Sequence, residues 1–157
     1  MAGAWRAWEG RGVYYANETG WGAAEAERAF GKAVRARWRA SLLRGLLRRY
    51  ADCAKLLIYD VPGRRGAGVG YGVRDIPLDA IAGSVEPHRA AQFDCEFRPS
   101  PPTRNRWLGV WLAEQHGAVL PPISVAPIGD AYAIRDGHHR VSVARARGAV
   151  TISAVIA

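Results

Sequence analysis

The sequence predicts an α+β fold with a helical N-terminal extension, on three observations. Near the C-terminus, Tyr132 to Gly148 reads as an alternating strand, a turn at Asp136 and Gly137, and a helix opening on His138, His139 and Arg140. Just upstream, Ile123-Ser124-Val125 and Ala131-Tyr132-Ala133-Ile134 flank Gly129-Asp130, the pattern of a β-hairpin. In the first third of the chain, Phe30, Val34, Trp38, Leu42, Leu46 and Tyr50 recur every four residues, which is a helical period.

Composition sets the bounds. A chain of 157 residues that is 49% hydrophobic can bury one ordinary core with a helical annex. It has no run of eighteen apolar residues, and uncharged stretches such as Ala118 to Gly129 are interrupted by proline, so no membrane span is expected. The N-terminal MAGAWRAWEGR lacks the basic-then-apolar order of a signal peptide, which makes a cytoplasmic protein the expectation. Cys53 and Cys95 form no CxxC pair, so they are expected to be reduced thiols with no zinc spacing. The net charge of +8 and the pI of 10.2 favour a polyanionic partner. Only two of the 22 basic residues are lysine, however, so a GC-rich coding background explains the bias equally well.

Taken in order, Met1 to Gly22 has aromatics without a period and reads as irregular. The helical pattern of Ala23 to about Leu57 carries Arg28, Lys32, Arg35, Arg39, Arg44, Arg48 and Arg49 between its apolar positions, as one basic helix or two with a break near Gly45. Such a face is either simply solvated or a contact for nucleic acid. Gly63 to Gly72 is turn-rich and matches neither the dinucleotide fingerprint nor a P-loop, so it reads as a linker. This divides the chain into a basic helical extension with its linker, residues 1–70, and a binding domain, residues 71–157.

In that domain Val73 to Ile76 suits a short strand, and Pro77 opens a helical turn with Leu78 and Ile81 facing inward. Gly83 to Pro102 shows no regular period and concentrates Glu86, His88, Arg89, Asp94, Glu96 and Arg98, as a functional loop would. Ser100 or Thr103 is placed to cap the next helix, where Trp107, Leu108, Trp111 and Leu112 share a face, Gly117 supplies the stop and His116 suits the helix end. After the hairpin, the helix from His138 to about Arg147 buries Val141 with Ala144 or Ala146 and stops at Gly148. Val150 to Ile156 is a β-branched strand.

The chemistry concentrates at the turn into the last helix. First-turn N–H groups and the positive end of the helix dipole attract an anion, and a glycine lets a phosphate approach the backbone closely. The expected contacts are the N–H groups from Gly137 to Arg140 and the Arg140 guanidinium, with Asp136 capping the helix, holding a histidine or holding magnesium. The competing reading is a plain Asp-Gly turn with both histidines exposed. Adjacent helix positions point about 100° apart, so His138 and His139 do not chelate one ion, and no metal site is expected. No G-x-S-x-G elbow is present. The acid or base candidates are Glu86, Asp94, Asp136, His138 and His139.

The run PPISVAPIGDAYAIRDGHHRVSVARARGAVTISAVI resembles the core of the ParB/sulfiredoxin superfamily: P-I-x-V, a hairpin, Y-x-I-x-D-G-H-x-R, a helix of small residues, a glycine, and I-x-A-x-V. The likeness extends back to Ile76-Pro77-Leu78 and covers about Val73 to Ala157. It implies a small mixed sheet with flanking helices that holds nucleotide phosphates at Gly137, His138, His139 and Arg140, with Asp136 orienting the loop or Mg2+. His138 stands where sulfiredoxin has its catalytic cysteine, and only Gly137 and Arg140 match the Gly-Glu-Arg-Arg loop of partition-type ParB. Asp-Gly-His-His-Arg is similar to the loop of free-serine kinases, where an upstream glutamate is the base and Glu86 lies in the corresponding region. Because the chain stops at Ala157, no helix-turn-helix is expected after this core, and the resemblance points to a stand-alone member. The implied ligand is CTP, ATP or ADP, with Mg2+, and the implied further partner is DNA along the Arg-rich helix. Two alternatives remain: a phosphotransferase or nuclease using Glu86 or Asp94 as base, with His138 beside it, or a non-enzymatic DNA-binding accessory protein. Whether Trp5 to Trp21 packs inward or makes a homodimer stays open.

Overall fold

A computed structural model of the chain describes residues 20–47, 54–61 and 72–157. The irregular segment expected at the N-terminus and most of the glycine-rich linker lie outside them. The elements are α1 (Trp21–Leu47), β1 (Leu57–Ile58), β2 (Arg74–Pro77), β3 (Ile81–Ser84), α2 (Pro87–Ala90), α3 (Arg104–Gln115), β4 (Ile123–Ile128), β5 (Ala131–Asp136), α4 (His138–Ala146) and β6 (Thr151–Ile156). They form the expected α+β fold, on a six-stranded mixed sheet of order β1-β3-β5-β4-β6-β2.

The hairpin β4–β5 is the middle of that sheet, with Pro127 opposite Tyr132 and the turn at Gly129-Asp130. On one side β3 runs parallel to β5 and β1 parallel to β3; on the other, β6 runs parallel to β4 and pairs antiparallel with β2. The C-terminal ends of β1, β3 and β5 therefore leave the sheet at the same edge, the edge from which Gly137 leads into α4.

Four expectations need correction. The helical pattern predicted to run to about Leu57 ends at Leu47 among the described residues, and Leu57–Ile58 is a strand. The long loop predicted from Gly83 begins as β3 and α2. Gly83 shows why β1 fits beside β3: a Cβ there would lie 2.3 Å from the Leu57 carbonyl oxygen, so only glycine permits the approach. The sheet thus takes a strand from the N-terminal side of the linker, and the boundary drawn near residue 70 does not separate two cores. Ser100 and Thr103 make no side-chain cap to the segment leading into α3; Thr103 Oγ1 instead donates to the Ser100 carbonyl at 2.7 Å.

Burial follows two apolar clusters that meet on α4. Val141 and Ala144 pack with Ile76, Phe93, Ile123, Val125 and Ile134 on the sheet side. Val143 joins Ala26, Phe30, Trp107, Val110 and Trp111 on the side of α1 and α3. This accounts for only the first half of the α1 stripe: Phe30 is buried, whereas Trp38, Leu42 and Leu46 are exposed. Trp107 is fully buried, stacks on Trp111 at 5.3 Å, tilts against Phe30 at 5.4 Å and donates its indole N–H to Ser142 Oγ at 2.9 Å. Trp107→Ala should therefore cost about 4 kcal/mol, read as a lower urea midpoint with an unchanged denaturant slope.

Among the described residues no helix is long and apolar enough to cross a membrane. Cys95 is disulfide-bonded rather than a reduced thiol; the one other cysteine, Cys53, lies outside the described residues.

Candidate functional site

The β5–α4 junction brings Asp136, Gly137, His138, His139 and Arg140 together as the sequence pattern predicts, but their environments differ from those expected. Gly137 has φ +108°, and a Cβ there would lie 2.4 Å from Ile123 Cγ2 and 2.8 Å from Ile123 Cβ. A side chain is excluded twice over, by backbone conformation and by a buried strand residue. Intrahelical bonding starts with the Val141 N–H donating to the Gly137 carbonyl at 3.0 Å. Among the described residues no backbone carbonyl and no capping side chain accepts from the N–H groups of His138, His139 or Arg140. Three donors without acceptors stand at the positive end of a nine-residue helix, where backbone N–H groups and the helix dipole would favour an anion.

The reading of two exposed histidines is corrected: His138 is 3% and His139 8% exposed. His138 Nε2 shares a 2.7 Å hydrogen bond with Ser84 Oγ and stacks on Phe93, while His139 meets the same ring edge-on. Burial pushes the His138 pKa down to about 4, against the pull of Asp136 and aided by Arg89 and Arg140. Burial pushes His139 to about 3, aided by Arg106, Arg89 and His138. Both rings are neutral at pH 7, and His139 Nε2 is buried without a hydrogen-bond partner. Arg89 and Arg106, which no loop motif marks, add positive potential over this helix end.

Arg140 does not reach outward as an open fork. Its guanidinium bonds Asp136 at 2.7 Å and the carbonyls of Pro121 and Pro122, the latter at 2.9 Å. It staples α4 to the entry of β4, so from this position it offers a ligand its backbone N–H and its charge.

Of the proposed bases, Glu86 belongs to this edge and Asp94 does not. The Glu86 N–H donates at 2.8 Å to Ser84 Oγ, the atom bonded to His138, and Glu86 itself is exposed just beyond β3. Ser84 is fully buried, so its bond to His138 ties β3, α2 and α4 together and presents no nucleophile. The Asp94 carboxylate is also fully buried. Its Oδ1 accepts the N–H groups of Glu96 at 3.0 Å and Arg98 at 2.9 Å, and its other oxygen pairs with Arg98 at 3.4 Å. It holds a turn in which Phe97 takes φ +60°, a structural task that leaves it unsuited as a general base. Among the described residues no group of three histidine, cysteine or carboxylate side chains is placed to hold a metal ion. Comparison with protein-family models, curated proteins and solved structures finds no match to this chain.

Proposed function

We propose that this chain binds a nucleoside phosphate, CTP, ATP or ADP, with its phosphates at the N–H groups of His138, His139 and Arg140. The observation that carries the reading is the cradle behind Gly137, where three donors lack acceptors and a Cβ has no room. The resemblance of the Asp-Gly-His-His-Arg loop to the ParB/sulfiredoxin superfamily supports the same ligand at the same residues. Neutral imidazoles beneath the cradle leave the attraction to the backbone dipoles and to Arg89, Arg106 and Arg140. Mg2+ would come with the phosphates, since it binds through one or two carboxylates and phosphate oxygens rather than a full protein cage. Isothermal titration with each nucleotide at low salt, with magnesium, should give one saturable site; three heatless titrations would remove the proposal.

A second reading is a phosphotransferase with Glu86 as base. It is favoured by the exposed Glu86 following β3, which is parallel and adjacent to the strand feeding the cradle. The reading predicts that Glu86→Gln lowers nucleotide consumption at least about a hundredfold while leaving the binding constant within about twofold. Asp94→Asn should instead act through stability. The exposed Arg28, Lys32, Arg35 and Arg39 of α1 support a DNA contact, whose affinity would fall steeply with salt.

A further inference from the structure

The outward side of α1 carries apolar and basic residues together. Its inward side is fixed by contacts along the helix: Ala26 and Phe30 pack with Trp107 and Val110 of α3, and Arg37 donates to the carbonyls of Gln92 at 2.9 Å and Arg98 at 3.2 Å. In return Arg98 donates to the Ala36 carbonyl at 3.3 Å. At 3.6 residues per turn, Trp21, Arg28, Lys32 and Arg35 project from the opposite side. Trp38, Arg39, Leu42 and Leu46 continue that face, and all eight positions fall within about 120° of the helix circumference.

The apolar members of this face are uncovered. Trp21 is 78%, Trp38 63% and Leu46 79% exposed, and Leu42 is exposed between the last two. Trp38, Leu42 and Leu46 stand four residues apart, so they adjoin as one patch rather than as scattered surface residues. The charge around them has one sign: from Arg28 to the end of α1 at Leu47 there are six basic residues and no acidic one.

The charge decides between occupants. A second copy of the chain would bury the leucines but would set these like charges against one another without a carboxylate between them. The phosphates of duplex DNA would pair with the basic side chains but would leave the tryptophans and leucines against water. An anionic lipid surface satisfies both, because leucine and tryptophan enter the boundary between headgroups and acyl chains while arginine and lysine stems run alongside them to the phosphates. The helix would lie along such a surface, since among the described residues no helix is long and apolar enough to cross one.

We infer that the outward face of α1 docks on a membrane surface rich in anionic phospholipid. Trp38, Leu42 and Leu46 enter the interface, with Trp21 at the other end of the helix, and Arg28, Lys32, Arg35 and Arg39 hold the headgroups.

Flotation of the full chain with vesicles tests this. The chain should bind vesicles of equal parts phosphatidylcholine and phosphatidylserine, and should bind phosphatidylcholine alone at least about tenfold more weakly. Leu42→Ser combined with Leu46→Ser should weaken binding to the mixed vesicles at least about tenfold, by removing the inserted area. Arg35→Gln combined with Arg39→Gln should weaken it about tenfold, by removing attraction to the headgroups. All four side chains are exposed, so the urea midpoints of both double variants should match that of the unsubstituted chain. The inference is overturned if the chain does not float with the mixed vesicles, or binds both compositions equally. Binding that the leucine variant leaves unchanged would reduce the contact to ion pairing, as duplex DNA would make, and would overturn it too. So would a dimer of the unsubstituted chain that the leucine variant dissociates, since the face would then belong to a second copy.

Discussion

Gly137→Ala should eliminate nucleotide binding and destabilise the fold by about 3 kcal/mol. Two costs combine: φ +108° is unfavourable for any residue with a Cβ, and the added carbon would overlap Ile123, which is 1% exposed on a central strand. Ile123 cannot swing aside as an exposed side chain would, because it packs in the main core. Relief must come from moving Gly137 itself, and that displaces the three N–H groups of the cradle. Gly148→Ala is the matched control. Its φ is +74°, but nothing lies within 4 Å of a Cβ there, so it should cost about 1 kcal/mol and leave the nucleotide titration unchanged. Urea midpoints for the two variants separate the clash from the backbone term.

Acidification should destabilise this protein well before its carboxylates titrate. His138 and His139 have folded pKa values of about 4 and about 3, below the ordinary 6.5. Between those limits the unfolded chain takes up protons that the folded chain refuses, so stability is full above pH 6.5 and is lost as the pH falls toward 4. For the pair the loss between pH 7.5 and pH 5 comes to about 4 kcal/mol, a large part of a small domain's stability. Thermal midpoints measured across that range should fall steeply. His139→Leu should remove about half of the dependence, because His139 Nε2 has no hydrogen bond to lose and leucine suits a site against Phe93. A wild-type midpoint flat from pH 7.5 to 5 would contradict the burial of both rings.

The hairpin, α4 and the glycine turn were legible because each is written in local pattern: alternation in Ala131 to Ile134, Asp136-Gly137 at a turn, and a glycine at position 148 to stop the helix. β1 and β3 were not, since Leu57–Ile58 is two residues long and Ile81–Ser84 contains Gly83 and has no polar alternation. Their pairing depends on a close backbone approach between distant segments. The helical period from Phe30 to Leu46 gave the helix correctly but not its burial, because periodicity says which positions share a face and not whether a neighbour covers it. At the site, the pattern singled out Gly137 to Arg140. It missed Ser84 and Arg106, which arrive from β3 and α3 through the fold alone, and it placed Arg89 in a functional loop where the chain forms α2. It also assigned Asp94 to chemistry when the residue closes a turn, and saw Arg140 as a phosphate fork when its guanidinium holds the Pro121-Pro122 backbone.

The amide spectrum of the nitrogen-15-labelled chain, recorded through a titration with CTP, ATP or ADP and magnesium, tests the cradle most directly. The three N–H groups of His138, His139 and Arg140 should show the largest movements, saturating together, and Gly137→Ala should abolish them. Nucleotide that binds while those three signals stay still, or that moves only the amides of α1, would contradict a phosphate site at the start of α4.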